Sequence, residues 1–269
     1  MLISVEEACS TLMPALGLPP DECGHQPCIS TSSYVKGPGM FASQIAPVHE
    51  RGAAIYSNTV LGIYDTLVVR VSNSWIWRSP SAKTLELYND QLSKNHLEIG
   101  TGTGWHLANA RLPEGIQLSL LDLNPNALQL TKRRVRRSRH LRANQITTSV
   151  GNILEKSTLP DRQFSSIAAN YLLHCLPGDP GQRFEALSNM ASMLTDDGVL
   201  FGSTILGDDA AHNLAGRGLM TLYNRLNIFD NRDDDPAVLH EILDSLFDHI
   251  DRFDVEGTVV TFSVSSPRR

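Results

Sequence analysis

The sequence lacks an apolar run approaching the roughly 20 residues that a membrane-spanning helix requires, so we predict no membrane association. Its first segment, MLISVEEACS, has no basic stretch followed by an apolar one, so we expect no secretory signal. The four cysteines lack paired metal-ligand spacing, and a site at Cys23, His25 and Cys28 is the weaker alternative. Free thiols in a reducing compartment fit better, which predicts a cytoplasmic protein without a metal ion.

The chain also lacks an excess of positive charge. Its net charge of −6 argues against a general nucleic-acid binder. The segment 132–142, KRRVRRSRHLR, is a local exception that could bind the phosphates of an RNA. No aromatic residues interleave there to stack on bases, and basic residues are typical of the solvated C-terminal end of a helix. We therefore predict no nucleic-acid partner.

Composition divides the chain into three parts. With 41% hydrophobic residues, the 269-residue chain suits one α/β domain with additions. Residues 1–45, rich in Pro, Gly, Ser and Cys, predict an irregular leader that could serve as a lid or as the arm of a homodimer. Residues 46–93 predict a helical cap with helices at 53–71 and 81–92. Residues 94–269 form the remaining domain.

From residue 95 onward, strand and helix patterns alternate, which predicts a parallel, doubly wound sheet. The predicted strands are 95–99, 117–122, 145–150, 164–170 and 198–204. The predicted helices are 104–111, 124–139, 181–194, 213–229 and 236–247. Asp196-Asp197-Gly198 predicts a turn before the fifth strand, and 251–265 predicts two closing strands around Glu256-Gly257.

The segment His96 to Ala110, HLEIGTGTGWHLANA, places a glycine loop between an apolar strand and a helical pattern. A nucleotide site requires this context, because glycine lets the backbone approach a ligand and a helix N-terminus offers unpaired N–H groups. A dinucleotide site is disfavoured, since Trp105 stands where the third glycine of G-x-G-x-x-G belongs. The Gly-Lys-Ser/Thr of a P-loop is also missing. An ordinary glycine turn is the alternative without a ligand.

The pattern E-x-G-x-G-x-G, from Glu98 to Gly104, resembles the first motif of the class I S-adenosylmethionine-dependent methyltransferases. The resemblance implies a Rossmann-like, seven-stranded α/β sheet flanked by helices, with the N-terminal helices as a cap. It implies S-adenosyl-L-methionine as cofactor, with Glu98 facing the methionine amino group and Asp122 accepting both ribose hydroxyls. The cofactor-binding residues that it implies are Glu98, Gly100, Thr101, Gly102, Gly104, Asp122, Leu123, Asn152, Ile153 and Asn170, with Asn152 and Ile153 at the adenine.

The fourth predicted strand ends in IAANYLLHCLPG, where an open α/β sheet binds its ligands. Asn170, Tyr171 and His174 should therefore lie near the sulfonium and the methyl acceptor. His174 is our candidate general base, because histidine titrates near neutral pH. Its apolar neighbours also fit a satisfied core histidine, and His106 is a rival base. Methyl transfer can also proceed without a base, through positioning alone.

A second resemblance covers roughly residues 50–265. Tyr64-Asp65, Ser72-Asn73, the W-R-S-P at 77–80 and the N-Y-L-L-H-C-L-P-G at 170–178 are similar to small-molecule methyltransferases of microbial, notably fungal, natural-product pathways. It implies methylation of a small, fairly apolar metabolite in secondary-metabolite biosynthesis. This resemblance and the three- and four-residue spacing along helix 213–229 together indicate candidate substrate-binding residues. They are Tyr56, Tyr64, Trp77, Tyr171, Arg217 and Tyr223. For Arg217, an exposed salt bridge is the alternative.

Other functions stay open at this point. The basic segment 132–142 leaves room for an RNA or protein methyltransferase. A protein of this fold could also bind the cofactor and catalyse a non-methylating reaction, or regulate a partner. An NAD-dependent oxidoreductase is disfavoured by the glycine spacing.

Overall fold

The computed structural model describes residues 77–79, 81–208 and 210–269. The predictions that fall outside these residues are the leader 1–45, the cap helix 53–71, the alternative metal site at Cys23, His25 and Cys28, and the substrate residues Tyr56 and Tyr64. Among the described helices, none combines the length and hydropathy of a bilayer span.

The described chain is built on one seven-stranded mixed sheet. Its strands are β1 (Asn95–Ile99), β2 (Gln117–Asp122), β3 (Ile146–Val150), β4 (Phe164–Asn170), β5 (Leu194–Ile205), β6 (Phe247–Glu256) and β7 (Val259–Pro267). Their order across the sheet is β3-β2-β1-β4-β5-β7-β6. The first five strands run parallel, and β7 pairs antiparallel with both β5 and β6. The predicted doubly wound sheet with two closing strands is confirmed.

Six α-helices accompany these strands in the described residues. They are α1 (Ser81–Gln91), α2 (Trp105–Asn109), α3 (Pro125–Arg139), α4 (Pro180–Ser192), α5 (Leu214–Arg225) and α6 (Pro236–Leu246). Helices α3, α4 and α6 begin alike: the side chains of Asn124, Asp179 and Asp235 accept backbone N–H groups of the first turn. A proline follows each cap, where its missing N–H costs nothing.

The two faces of the sheet carry different helices. On β1, Leu97 points into a core formed with α4 and α6. The opposite face packs against α1, α2 and α3, and it includes Tyr88 of α1 and Phe201 of β5. His96 and Glu98 alternate with Leu97 along the strand and therefore point to this second face. The second predicted cap helix is thus α1, and it packs into the core of the sheet.

Three element boundaries differ by four residues from the sequence-based prediction, and one of them is the start of β6, at Phe247 rather than at 251. Strand β5 begins at Leu194 rather than at 198, because the predicted turn at 196–198 lies inside the strand as an irregularity. The pairs Phe164–Leu194 and Ser166–Val199 flank it, so the longer segment of β5 bulges out. Helix α5 ends at Arg225 rather than at 229, since Asn227 adopts a left-handed conformation with φ of 54°.

The turn between β6 and β7 holds Trp77 in place. Gly257 has φ of 61°, and a Cβ there would lie 2.5 Å from the carbonyl oxygen of Trp77. The same carbonyl accepts a hydrogen bond from the Thr258 N–H at 3.2 Å. Trp77 is thereby held against the closing hairpin, with 1% of its surface exposed.

The acidic segment 231–235, whose composition indicates a solvated loop, exposes Arg232, Asp233 and Asp235 but is tied into the fold at Asn231 and Asp234. Asn231 is buried, and its amide donates to the carbonyl of Ile205 at 3.0 Å. The buried guanidinium of Arg183, on α4, pairs with the Asp234 carboxylate at 3.2 Å. Arg183 also donates to the carbonyl oxygens of Leu176, at 2.7 Å, and of Asp230. The sequence alone could not indicate the pairing of Asp234, because its cation comes from a distant helix.

Arg183→Met is expected to lower the free energy of unfolding by about 3 kcal/mol, because it leaves the Asp234 carboxylate and two carbonyl groups without their donor. Urea unfolding followed by circular dichroism measures this change. Arg232→Met is the matched control. Its ion pair with Asp208 is half exposed, and its loss should cost less than about 0.5 kcal/mol. Equal losses in the two variants would contradict the structural role of Arg183.

Candidate active site

The glycine loop after β1 adopts a left-handed backbone at three positions. Gly100, Gly102 and Gly104 have φ values of 70°, 51° and 70°. A Cβ would lie 2.8 Å from Leu172 Cδ1 at Gly100 and 2.7 Å from Thr131 Cγ2 at Gly104. At Gly102 a Cβ would meet no atom within 4 Å. The loop therefore packs closely at both ends and presents bare backbone in the middle, which is a surface that a flat or extended ligand can approach.

Asp122 ends β2 beside this loop. Its carboxylate accepts the Asn124 N–H at 2.9 Å and the Thr101 hydroxyl at 3.2 Å. Burial raises the pKa of Asp122, while the hydrogen bonds from Asn124 and Thr101 act in the opposite direction. The strand register brings this carboxylate and the glycine loop together, and Leu123 follows at the half-exposed rim. The acceptor oxygens suit a ligand with neighbouring hydroxyls.

The carboxylate of Glu98 is held from both sides inside the fold. The Tyr88 hydroxyl donates to one oxygen at 2.6 Å, and His96 Nε2 lies 3.3 Å from the other. Burial, followed by the charge of Glu98, raises the pKa of Tyr88 well above its ordinary value, so the phenol stays protonated and donates. The contact of Glu98 with a methionine amino group stays a prediction. Sequence reasoning missed Tyr88, which precedes the motif on α1.

Asn170 and His106 meet at the carboxyl end of β4. The Asn170 amide nitrogen lies 3.2 Å from both ring nitrogens of His106, and the Ser203 hydroxyl donates to the Asn170 oxygen. His106 Nε2 lies 3.0 Å from the Thr84 hydroxyl. The His106 ring stacks on Tyr88 with a centroid distance of 5.1 Å. The rival base is thus engaged at both nitrogens.

Asn152 and Ile153 follow β3 next to Asp122, whose carbonyl accepts the Gly151 N–H at 3.2 Å. The Asn152 side-chain oxygen accepts the Leu154 N–H at 3.1 Å, which shapes the turn. The side chain of Ile153 packs in the core, so only its backbone can face a ligand. The structure brings these two residues close to Asp122, and their contact with adenine stays a prediction.

Aromatic rings gather beyond the carboxyl ends of β4 and β5. The members of this aromatic cluster, in contact as ring pairs, are Trp77, Tyr171, His174, His212, Tyr223 and Phe229. Phe229 touches the most members, with centroids 4.5 Å from His174 and 4.8 Å from Tyr223. Four of the predicted site residues therefore come together. The sequence did not indicate Phe229, the last residue of the helix predicted over 213–229, or His212, which directly precedes that helix.

His174 is buried in this cluster with its acceptor nitrogen in use. Its Nδ1 accepts the backbone N–H of Ile205 at 3.3 Å, so the ring proton resides on Nε2. Burial, and next the charge of Arg183, lowers the pKa of His174 to about 3. The imidazole is therefore neutral at physiological pH. This geometry favours the satisfied core histidine, and the catalytic role of His174 stays a prediction.

Tyr171 and Arg217 differ in their placement. Tyr171 follows β4 in a left-handed conformation, with φ of 53°. Burial raises the pKa of its hydroxyl, with Ser79 opposing and the charge of Glu256 adding to the rise. Arg217 lies on the exposed side of α5, whose buried residues are Gly216, Leu219 and Met220. Met220, which shares the predicted face of the helix with Arg217, is buried, and the contact of Arg217 with a substrate stays a prediction.

No group of three or more His, Cys, Asp or Glu side chains with metal-binding geometry occurs among the described residues. The residues present instead fit a nucleoside ligand. A bare backbone at Gly102 lies between a carboxylate suited to hydroxyl groups and a strand end that carries Asn170. Together with the seven-stranded sheet order, this arrangement defines the fold and site of a class I methyltransferase.

Comparisons with known proteins agree with that class. Residues 97–200 match the family described as methyltransferase domain. The chain is 35% identical over 223 residues to a physcion biosynthesis cluster O-methyltransferase of Aspergillus chevalieri, covering 81% of this chain and 96% of that protein. It is 34% identical to the demethylluteothin O-methyltransferase of Streptomyces thioluteus, covering 75% of this chain and 84% of that protein.

Among solved structures, the N-methyltransferase NodS of Bradyrhizobium japonicum, in complex with S-adenosyl-L-homocysteine, has the same fold. The TM-score is 0.50 at 18% identity, and the match covers 70% of this chain and 86% of NodS. The chain belongs to the class I S-adenosylmethionine-dependent methyltransferases, and S-adenosyl-L-methionine is its cofactor. The predicted resemblance to methyltransferases of fungal natural-product pathways is confirmed.

Asp122→Asn is expected to weaken cofactor binding by about 10- to 100-fold, because a neutral amide replaces charged hydrogen bonds to the ribose worth about 1.5–3 kcal/mol. The cofactor-free variant should melt no lower than the wild type, since the raised pKa means that the buried charge destabilises the fold near neutral pH. Calorimetry and thermal melting measure the two quantities. Asp161→Asn, in an exposed turn, should change neither. Undiminished affinity in Asp122→Asn would show that Asp122 does not bind the ribose of the cofactor.

His174→Asn is expected to make the free energy of unfolding fall less steeply as the pH is lowered. Since the pKa falls from 6.5 to about 3 on folding, the unfolded chain takes up a proton first, and stability drops as the pH falls from 6.5 toward 3. Removing this group should reduce the slope of unfolding free energy against pH by up to about 1.4 kcal/mol per unit. Urea unfolding between pH 4 and about pH 7 tests it. His240→Asn, on the exposed side of α6, should keep the wild-type slope.

Proposed function

We propose that this methyltransferase methylates a hydroxyl group of a small, fairly apolar metabolite in microbial secondary metabolism. The observation that carries the proposal is the aromatic cluster beyond the carboxyl ends of β4 and β5, where an open α/β sheet places its substrate. Oxygen as the methylated atom is supported by relatives that are named O-methyltransferases and that the chain matches over 96% and 84% of their length.

The cofactor would be held along the edge formed by β1, β2 and β3. Gly100, Thr101, Gly102 and Gly104 would face its ribose and methionine, Asp122 and Leu123 the ribose, Asn152 and Ile153 the adenine, and Glu98 and Asn170 the methionine end. When bound, the cofactor supplies a methyl group on a positively charged sulfur, which is a good leaving group. The protein then needs chiefly to orient the acceptor and to exclude water.

The acceptor would lie on the β4 and β5 side of the cofactor. Trp77, Tyr171 and Tyr223 present ring surface from three different parts of the chain. Rings of this kind bury a flat apolar molecule with little loss of side-chain freedom. We propose that residues 46–93 cap this side, in keeping with the position of Trp77 in the cluster. We also propose that residues 1–45 form a lid or the arm of a homodimer, and that the enzyme acts on its small-molecule acceptor in the cytoplasm.

Purified protein incubated with methyl-labelled cofactor is expected to transfer label to phenols and naphthols, because their flat rings match the aromatic cluster. The corresponding amines and total RNA serve as comparison acceptors and should receive at least tenfold less label. Mass spectrometry of the product identifies the methylated atom. Label in RNA would instead support the basic face of α3 as a substrate surface. Binding of the cofactor without transfer to any acceptor would support a non-methylating function.

A further inference from the structure

His212 occupies the loop between β5 and α5 in a fixed orientation. Its Nε2 lies 2.8 Å from the carbonyl oxygen of Gly207 and 3.2 Å from that of Leu206. Carbonyl oxygens only accept hydrogen bonds, so Nε2 carries the proton of the neutral ring. The remaining nitrogen, Nδ1, therefore holds a lone pair. The tautomer follows from these two contacts.

The two carbonyl groups that orient His212 are themselves anchored. The N–H of Leu206 donates to the carbonyl of Thr258, and the N–H of Gly207 donates to that of Asp234, each at 2.9 Å. The Asn231 amide lies 3.4 Å from the carbonyl oxygen of Leu206. The ring is thus fixed by the closing hairpin and by the segment that Arg183 holds.

The Nδ1 atom of His212 is buried and meets no hydrogen-bond partner among residues 77–79, 81–208 and 210–269. His212 as a whole is 6% exposed. A buried acceptor left without a donor costs about 1–3 kcal/mol, so an acceptor kept in this state points to a ligand that supplies the donor. The ring stands edge-on to Trp77, with centroids 5.8 Å apart, and its Nδ1 faces the first turn of α5, where a Cβ at Gly216 would lie 3.4 Å away.

In each of the other inward-facing histidines, a contact engages the nitrogen that can accept a hydrogen bond. Nδ1 of His174 accepts the Ile205 N–H. His96 lies between the Ser166 hydroxyl at 2.8 Å and the Glu98 carboxylate at 3.3 Å. His106 contacts Thr84 and Asn170. Of these four imidazoles, His212 alone combines an oriented ring with an unused lone pair in the described structure.

We infer that His212 is a catalytic residue, with Nδ1 accepting the hydroxyl proton of an aromatic or enolic methyl acceptor that lies against Trp77 and Phe229. The inference rests on the proposed function. As the new oxygen–carbon bond forms, the carbon–sulfur bond of the donor breaks and its electron pair stays on sulfur. The hydroxyl proton passes to Nδ1, and the resulting imidazolium returns it to water after the product leaves. The hydrogen bonds from Nε2 to two carbonyl oxygens stabilise the transient positive charge.

His212→Gln tests this role with little structural change, because the glutamine amide can still donate to the carbonyl of Gly207 while the lone pair of Nδ1 is lost. We expect kcat for naphthol methylation to fall by at least about 100-fold, as for the loss of a general base. Cofactor affinity, measured by calorimetry, and the melting temperature should stay close to wild type. His240→Gln, which alters an exposed histidine of α6, is the matched control and should retain wild-type kcat.

Two outcomes separate the inference from the proposed function. If the wild type methylates naphthols and His212→Gln keeps more than a third of its kcat, the role of His212 is overturned and the proposed function stands. If the wild type binds the cofactor but methylates no hydroxyl acceptor, the proposed function falls, and the inference falls with it.

A measurement on the wild type guards against a variant that fails to fold. Nitrogen-15 NMR of labelled imidazoles, with His212 assigned by its absence in His212→Gln or, failing that, in His212→Asn, reports which ring nitrogen is protonated. We expect a proton on Nε2 and an Nδ1 signal that shifts when 1-naphthol is added to the protein. A proton on Nδ1 in the free protein, or no shift at naphthol concentrations that saturate methyl transfer, would overturn the assignment.

Discussion

The buried guanidinium of Arg183 is the interaction on which the proposed acceptor side of the site depends. It reaches from α4 to carbonyl groups in two segments, the one after β4 and the one after α5, and it pairs with Asp234. Those segments carry His174 and Phe229, whose rings meet at 4.5 Å. Apart from the single 3₁₀ turn Leu173–Cys175, neither segment is a helix or strand that would hold its own position. A single planar cation with several donors therefore defines where the aromatic cluster stands relative to the sheet.

The donor side depends on backbone geometry instead. Three left-handed glycines follow β1, and Asp122 ends the adjacent parallel strand β2, so the register of these two strands brings them together. Behind them, Glu98 is held by Tyr88 and His96. The cofactor side is thus rigid because of the sheet, and the acceptor side is rigid because of side-chain bonds. Acceptor preference can change by substitution in loops without disturbing the binding of the cofactor.

The sequence predicted most of the fold and the donor side, because both follow from short-range signals. Glycine spacing, an acid after an apolar strand, and Asn-Pro or Asp-Pro helix starts are legible along the chain. The acceptor side was less predictable, since its contacts join distant residues: Arg183 with Asp234, and Trp77 with Phe229. Asp234 looked as solvated as its neighbours Arg232, Asp233 and Asp235, which are indeed exposed. His212 went unnoticed because only the fold shows that one of its nitrogens is bound to carbonyl groups and the other is not.

The contact of the β6–β7 turn with the Trp77 carbonyl joins the closing strands to the aromatic cluster. Gly257 leaves room for that carbonyl, and Thr258 binds it, so the closing hairpin holds Trp77, which we propose as a wall of the acceptor pocket. Thr258 also accepts the N–H of Leu206, next to the carbonyl groups that orient His212. The hairpin therefore fixes the positions of Trp77 and of the loop that carries His212. A change of twist in these two strands would alter which molecules fit, although no residue of the hairpin need touch them.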